Sequence, residues 1–142
     1  MEKNIKIAKR MLDDNKYTCV AYNGEDFLCS RERGVNPLLD FIDKGQSMNG
    51  YSVADRVVGR AAAFLYVKLE AKEVFAYVIS RPAVEVLNSA GIPVEYEDCV
   101  DYIINRTGTG LCPMEESVLE IENPDEAEKR IRLKLVQLRE ES

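Results

Sequence analysis

Val74-Phe75-Ala76-Tyr77-Val78-Ile79 is a continuous apolar run of strand length. Such a run suits a central strand of a sheet covered on both faces, since both sets of alternating side chains are apolar. Ser80-Arg81-Pro82 follows directly and predicts a helix with Ala83, Val86, Leu87 and Ala90 inside. Gly91 supplies the left-handed residue that ends it. Pro93–Glu97 then reads as a short strand, with Asp98 capping a further helical turn through Ile104. A buried strand running straight into a helix and on to another strand is the repeating unit of an α/β sheet.

Upstream, residues 2–14 carry Ile5, Ala8, Met11 and Leu12 on one stripe and predict a helix. Tyr17–Tyr22 and Phe27–Ser30 are β-rich runs joined by Asn23-Gly24-Glu25-Asp26, a hairpin signal. With Tyr22 opposite Phe27, Val20 faces Cys29 and Cys19 points to the other side of the sheet, so both cysteines read as packing residues. Asn36-Pro37 predicts an N-cap and first helical residue for a short helix ending near Gly45. After the polar loop Gln46–Tyr51, Ser52-Val53-Ala54-Asp55 resembles a capping box with Asp in place of Glu. It predicts a helix of roughly 17 residues carrying Val57, Val58, Ala61, Ala62 and Leu65. Downstream, Asn123-Pro124-Asp125-Glu126 predicts the start of a last helix with Ala127, Ile131, Leu135 and Leu138 on its stripe. The expectation is one domain over residues 1–142, a three-layer α/β/α arrangement with a mixed sheet, residues 113–142 forming a helical segment.

Composition narrows the function. The formal net charge of −6 argues against a generic nucleic-acid binder, which needs a basic face. No apolar run has membrane-spanning length, and Met1-Glu2-Lys3-Asn4-Ile5-Lys6 lacks the apolar stretch of a signal peptide, so a cytoplasmic location is expected. Cys19, Cys29, Cys99 and Cys112 form no C-x-x-C pair and read as free thiols. The chain has no histidine, which removes Ser-His and Cys-His nucleophilic pairs and every His-ligated zinc site.

Chemistry concentrates in Asn105-Arg106-Thr107-Gly108-Thr109-Gly110-Leu111-Cys112-Pro113-Met114-Glu115-Glu116. Pro113 fits a first helical position and places Cys112 at the N-cap, where the helix dipole favours a thiolate. Thr107, Gly108, Thr109 and Gly110 can form a backbone nest for an anion, although the G-K-[ST] ending of a Walker loop is missing. Asp55 and Arg60 fall in the first two turns of the predicted second core helix. Arg81 follows the central strand, at the carboxyl end where open α/β sheets bind ligands.

The hairpin, the helix beginning near a loop, the buried strand and the Pro82 helix together resemble the cytidine-deaminase-like fold. Asp55-Arg56-Val57-Val58-Gly59-Arg60-Ala61-Ala62-Ala63 with Cys112-Pro113-Met114-Glu115 is similar to a family of small prokaryotic proteins in that superfamily, a domain of unknown function. The resemblance implies a pocket where the second core helix begins. Zinc-dependent deaminases place His-x-Glu or Cys-x-Glu there and open the third helix with Pro-Cys-x-x-Cys. Here the latter reads Pro82-Ala83-Val84-Glu85-Val86, and the former has no His or Cys, so the resemblance comes without the metal ligands and no cofactor is expected.

The leading expectation is a binder of a small anionic or nucleotide-like ligand, in a pocket between the 105–116 loop and the helix start at Asp55. Arg60, Arg81 and the loop N–H groups would hold the anion, and Asp55 or Glu115 would accept hydrogen bonds. Two rivals differ in class. One is a metal-independent enzyme with Cys112 as nucleophile and Glu115 or Asp55 handling protons. The other is a structural or regulatory subunit acting through the C-terminal helix, shared with a second copy in a homo-oligomer.

Overall fold

The computed structural model describes residues 2–105, 108 and 110–141. In chain order the elements are α1 (Glu2–Asn15), β1 (Cys19–Tyr22), β2 (Phe27–Ser30), α2 (Asn36–Asp43), β3 (Ser52–Val58) and α3 (Arg60–Leu69). They continue with β4 (Glu73–Ser80), α4 (Arg81–Ser89), β5 (Val94–Val100), α5 (Pro113–Ser117) and α6 (Pro124–Glu141). The strands form one five-stranded sheet in the order β2-β1-β3-β4-β5. β1 runs antiparallel to both neighbours, while β3, β4 and β5 are mutually parallel, so the sheet is mixed.

The run Val74–Ile79 is the interior of β4, between β3 and β5, and both of its faces are covered. On one face Phe75 packs with Ala54 and Val20 under Ile5, Ala8 and Leu12 of α1. On the other, Val53, Val74 and Ala76 meet the larger core under α2, α3, α4 and α6, which Val58 and Ile79 join at the ends of their strands. Adjacent β residues therefore point to opposite layers, as the pleat requires. The hairpin has the predicted register, Val20 opposite Cys29 and Tyr22 opposite Phe27. Gly24 at φ +103° makes its turn, and Asn23 Oδ1 accepts from the N–H groups of Glu25 and Asp26. Among the described residues no helix is long and apolar enough to cross a membrane.

Three sequence expectations need correction. Ser52–Asp55 is not a helix start but the first half of β3, paired with β1 on one side and β4 on the other. The β-branched residues Val53, Val57 and Val58 favour an extended chain, and two strand partners satisfy the backbone groups that a capping box would have served. The helix proper begins at Arg60 and has 10 residues. Asp98 caps no turn either, because β5 continues to Val100 with Asp98 opposite Val78 and Cys99 opposite Ile79. Lastly, the residue capping α2 is Val35, which makes no side-chain cap bond, while Asn36 is already helical. The helix starts read at Ser80 and at Asn123 hold: Ser80 Oγ accepts from Ala83 N–H at α4, and Asn123 Oδ1 accepts from Asp125 and Glu126 N–H at α6.

Candidate functional site

Asp55 stands on β3 opposite Cys19 of β1 and Ala76 of β4, on the face that carries the larger core. Tyr66 of α3 lies over this point and is completely buried. Its hydroxyl donates to Asp55 Oδ2 at 2.6 Å and lies 3.3 Å from Cys19 Sγ. A thiol, a phenol and a carboxylate thus form one polar chain inside an apolar layer. Burial pushes the Asp55 carboxyl up to about 6, against the Tyr66 hydrogen bond and the N–H groups of Val57 and Arg56, which favour the charged form. Burial and the neighbouring Asp55 charge push the Cys19 thiol and the Tyr66 phenol up as well, so both stay protonated.

Asp55 lines a cavity of about 310 Å³. Val35, Pro37, Leu38, Ile103 and Met114 give it an apolar wall, while Cys19, Cys112, Glu115 and Arg33 bring polar groups. A space of that volume, mostly apolar with a few convergent polar groups, is of the kind that holds small molecules. Three of the residues marked in the sequence, Asp55, Cys112 and Glu115, come together here. Cys112 is the N-cap residue of α5, as predicted, but its side chain makes no capping hydrogen bond.

Glu115 connects the two ends of the site. It is 6% exposed, and its carboxylate accepts from Arg60 N–H at 2.6 Å and Ala61 N–H at 3.0 Å. These are orphan donors of the first turn of α3, so a side chain 55 positions away does the work of a local N-cap. Burial raises the Glu115 carboxyl, opposed by these two N–H groups, the Arg60 charge and the Ser80 hydroxyl. The contact leaves no room for a side chain at Gly59, the residue before α3.

The remaining candidates lie elsewhere. The Arg60 guanidinium turns away from Asp55, donating to the carbonyls of Val118 (3.1 Å) and Ile121 and resting on the Phe64 ring. It lines a separate groove with Phe64, Glu85 and Glu122. Arg81 pairs with Asp101 at 3.1 Å on the surface and does not line the cavity. Gly108, at φ +72°, donates its N–H to Asn105 O, while Asn105 N–H donates to Gly110 O and Cys112 N–H to Ile103 O. Of the residues marked here as an anion nest, Gly108 and Gly110 are described, and Thr107 and Thr109 lie outside the described residues. Among the described residues no three His, Cys, Asp or Glu side chains converge to hold a metal, and Ala83 offers only a buried methyl group.

Tyr66 and Arg33 were not marked in the sequence. Tyr66 sits in the largely apolar helix α3 (Arg60–Leu69), and a tyrosine on the buried face of such a helix needs a partner for its hydroxyl. That was a usable signal. Arg33, in the charged run Arg31-Glu32-Arg33, carries none. It is exposed at the cavity and has no carboxylate partner among the described residues.

Fold and site together define an α/β protein with a five-stranded mixed sheet, six helices among the described residues, and a cavity where β3, α3 and α5 meet. The chain belongs to the TM1506 family, a domain of unknown function (DUF1893), which it matches over residues 7–135. It is similar to the crystal structure of a DUF1893 family protein, TM1506, from Thermotoga maritima. The two share 27% identity with a TM-score of 0.85, over 96% of this chain and 91% of that one. No curated protein matches it.

Proposed function

We propose that this protein binds a small anionic, nucleotide-like molecule in the cavity between β3, α3 and α5. The observation that carries the reading is Asp55, a carboxylate half-buried in a mostly apolar cavity of about 310 Å³. A ligand's N–H or O–H group would meet Asp55, its apolar body would lie against Val35, Leu38 and Met114, and its anionic group would reach Arg33 at the exposed side. Arg33 takes the role that the sequence suggested for Arg60, whose guanidinium is committed to two carbonyls. The cytidine-deaminase-like reading of the fold belongs to the same proposal; the β1–β2 hairpin joined to the parallel strands β3, β4 and β5 supports it. Cys112, in the wall of the same cavity, supports a second reading in which its thiol is a nucleophile and Asp55 takes up the proton.

The test is a thermal-shift screen against nucleosides, nucleotides and sugar phosphates, since a molecule that binds only the native state raises Tm. A stabilising compound is expected to lose affinity by about tenfold or more in Asp55→Asn and in Arg33→Ala, the size of one lost charged hydrogen bond. Compounds whose effect survives both substitutions place the site elsewhere. Covalent trapping of a substrate-like electrophile at Cys112, abolished in Asp55→Asn, favours the second reading.

A further inference from the structure

The polar chain beside the cavity has a direction. Tyr66 has a single hydroxyl hydrogen and two neighbours, Asp55 Oδ2 at 2.6 Å and Cys19 Sγ at 3.3 Å. A hydrogen bond to a carboxylate is the shorter and stronger of the two, so the phenol donates to Asp55 and the thiol donates to the phenol oxygen. Every hydrogen in the chain then points toward Asp55. Tyr66 and Cys19 are both buried in the core, so neither carries this orientation to solvent. Oδ1 is engaged differently. The Val57 N–H lies 3.4 Å from it, longer than the usual hydrogen bond, so Oδ1 retains acceptor capacity.

We infer that Tyr66 is the positioning residue of this cavity, holding Asp55 through Oδ2 so that Oδ1 is offered to the occupant, and that the occupant therefore presents an N–H or O–H donor at that point. The inference rests on the ligand-binding reading above and specifies its chemistry. An amide, amine or hydroxyl satisfies the carboxylate as it displaces water. A carbonyl, ester or ether oxygen in the same place sets lone pair against lone pair and leaves a buried charge without its hydrogen bond. Tyr66 from α3 and Arg56 from its own strand act on the Asp55 charge, and Cys19 from β1, Arg33, Cys112 and Glu115 line the same cavity. Arg56 is turned to the opposite layer, where its guanidinium donates to the carbonyls of Leu12 and Tyr17. Tyr66 is thus the side chain that holds the carboxylate on the cavity side.

Carboxylate ¹³C NMR on the ligand-free protein tests the positioning role, with Asp55→Asn assigning the signal. In Tyr66→Phe the Asp55 titration midpoint is expected to rise by about one unit, because a bond to the charged form is lost while burial remains. A merely structural role gives the opposite sign, since a loosened core admits water and lowers the midpoint. An unchanged or lowered midpoint overturns the inference. Cys19→Ala leaves the Tyr66–Asp55 bond intact, so its midpoint is expected to stay within a few tenths of a unit. A larger rise there assigns the positioning to the thiol instead, and this variant decides the matter if Tyr66→Phe does not fold. The donor requirement is read with benzamide and methyl benzoate, two probes of similar size of which only the first carries an N–H. Benzamide is expected to bind the cavity at least tenfold more tightly, and Asp55→Asn, whose amide both donates and accepts, to erase the difference. Equal binding overturns the donor requirement. A raised midpoint in Tyr66→Phe with neither probe perturbing the cavity leaves the positioning role standing and removes the ligand-binding reading.

Discussion

A β-carbon built on Gly59 would lie 2.5 Å from the carboxyl carbon of Glu115. No real Cβ tolerates such a contact, so the glycine before α3 and the carboxylate that caps α3 specify each other. Gly59 has φ −96° and ψ −179°, which any residue adopts, so the requirement is for space alone. Around this pair the chain closes in both directions: Glu115 holds the start of α3 through Arg60 and Ala61 N–H, and the Arg60 side chain holds the carbonyls that follow α5.

The first prediction is a double-mutant cycle on that pair. Glu115→Ala leaves two buried N–H groups without an acceptor and is expected to cost about 3 kcal/mol. Gly59→Ala pushes the carboxylate off the same groups and is expected to cost about 2 kcal/mol. With the carboxylate already gone, the three atoms nearest the added methyl are gone too, so Gly59→Ala in the Glu115→Ala background is expected to cost less than about 0.5 kcal/mol. Urea unfolding of the four proteins measures the coupling; additive costs would show that the two residues act independently.

The same pair explains why part of the fold was legible in the sequence and part was not. β4 and α4 were readable because their determinants are local: an apolar run, then Ser80 capping its own helix three residues on. The hairpin and α6 were readable for the same reason, through Asn23 and Asn123. The start of α3 was not, because its cap comes from a residue 55 positions later, while Ser52 and Asp55 imitate a capping box inside a strand. The site divides along the same line. Cys112 and Glu115 lie at the helix start that Pro113 marks, whereas Asp55 lies on a strand read as a helix, and the fold brings all three to one cavity. What Arg60 touches, and that Tyr66 reaches back to Asp55, depend on how α3 lies against the sheet and α5. No local pattern encodes that.

The second prediction separates Arg60 from the cavity. Its guanidinium binds two carbonyls at the end of α5, and charged hydrogen bonds of this kind contribute about 1.5–3 kcal/mol. Arg60→Ala is expected to lower stability by about 2 kcal/mol, and Arg60→Lys to recover little, because an ammonium lacks the planar fork that serves two acceptors. The affinity of any cavity ligand is expected to stay within about twofold, a difference below about 0.5 kcal/mol. Calorimetry on the variant checks this, and a tenfold loss of affinity without loss of stability would return Arg60 to the site.

The third prediction concerns the thiols. Cys99 is exposed on the edge strand β5, Cys112 is half-buried in the cavity wall, and Cys19 is buried. Iodoacetamide on the native protein is expected to label Cys99 first, Cys112 more slowly, and Cys19 only on unfolding, because accessible thiols react first. A cavity ligand is expected to slow labelling of Cys112 and leave Cys99 unchanged. Mass spectrometry of the labelled peptides reads both rates in one sample, so Cys99 serves as the internal control. Equal slowing at both cysteines would point to a general effect on the fold.

The fourth prediction is a pH dependence with a definite sign. Asp55 moves from an ordinary 3.8 to about 6 on folding, so the native state holds this proton more tightly than the unfolded chain. Its contribution to stability is therefore greatest below about pH 4, falls as pH rises through 6, and is flat above. A shift of that size corresponds to about 3 kcal/mol in the limit, less whatever the unfolded chain already buries. Glu115, also raised by burial, slopes the same way, whereas Glu128, lowered by its bond to Lys68, slopes the other way. The total curve therefore mixes several groups, and the difference between wild type and Asp55→Asn isolates one. Asp55→Asn is expected to gain stability relative to wild type between pH 4 and pH 7, with the change centred between 3.8 and 6. Urea midpoints across that range measure it. A difference that stays constant with pH, or one that favours wild type as pH rises, would mean that the carboxylate in this cavity is solvated and free to ionise.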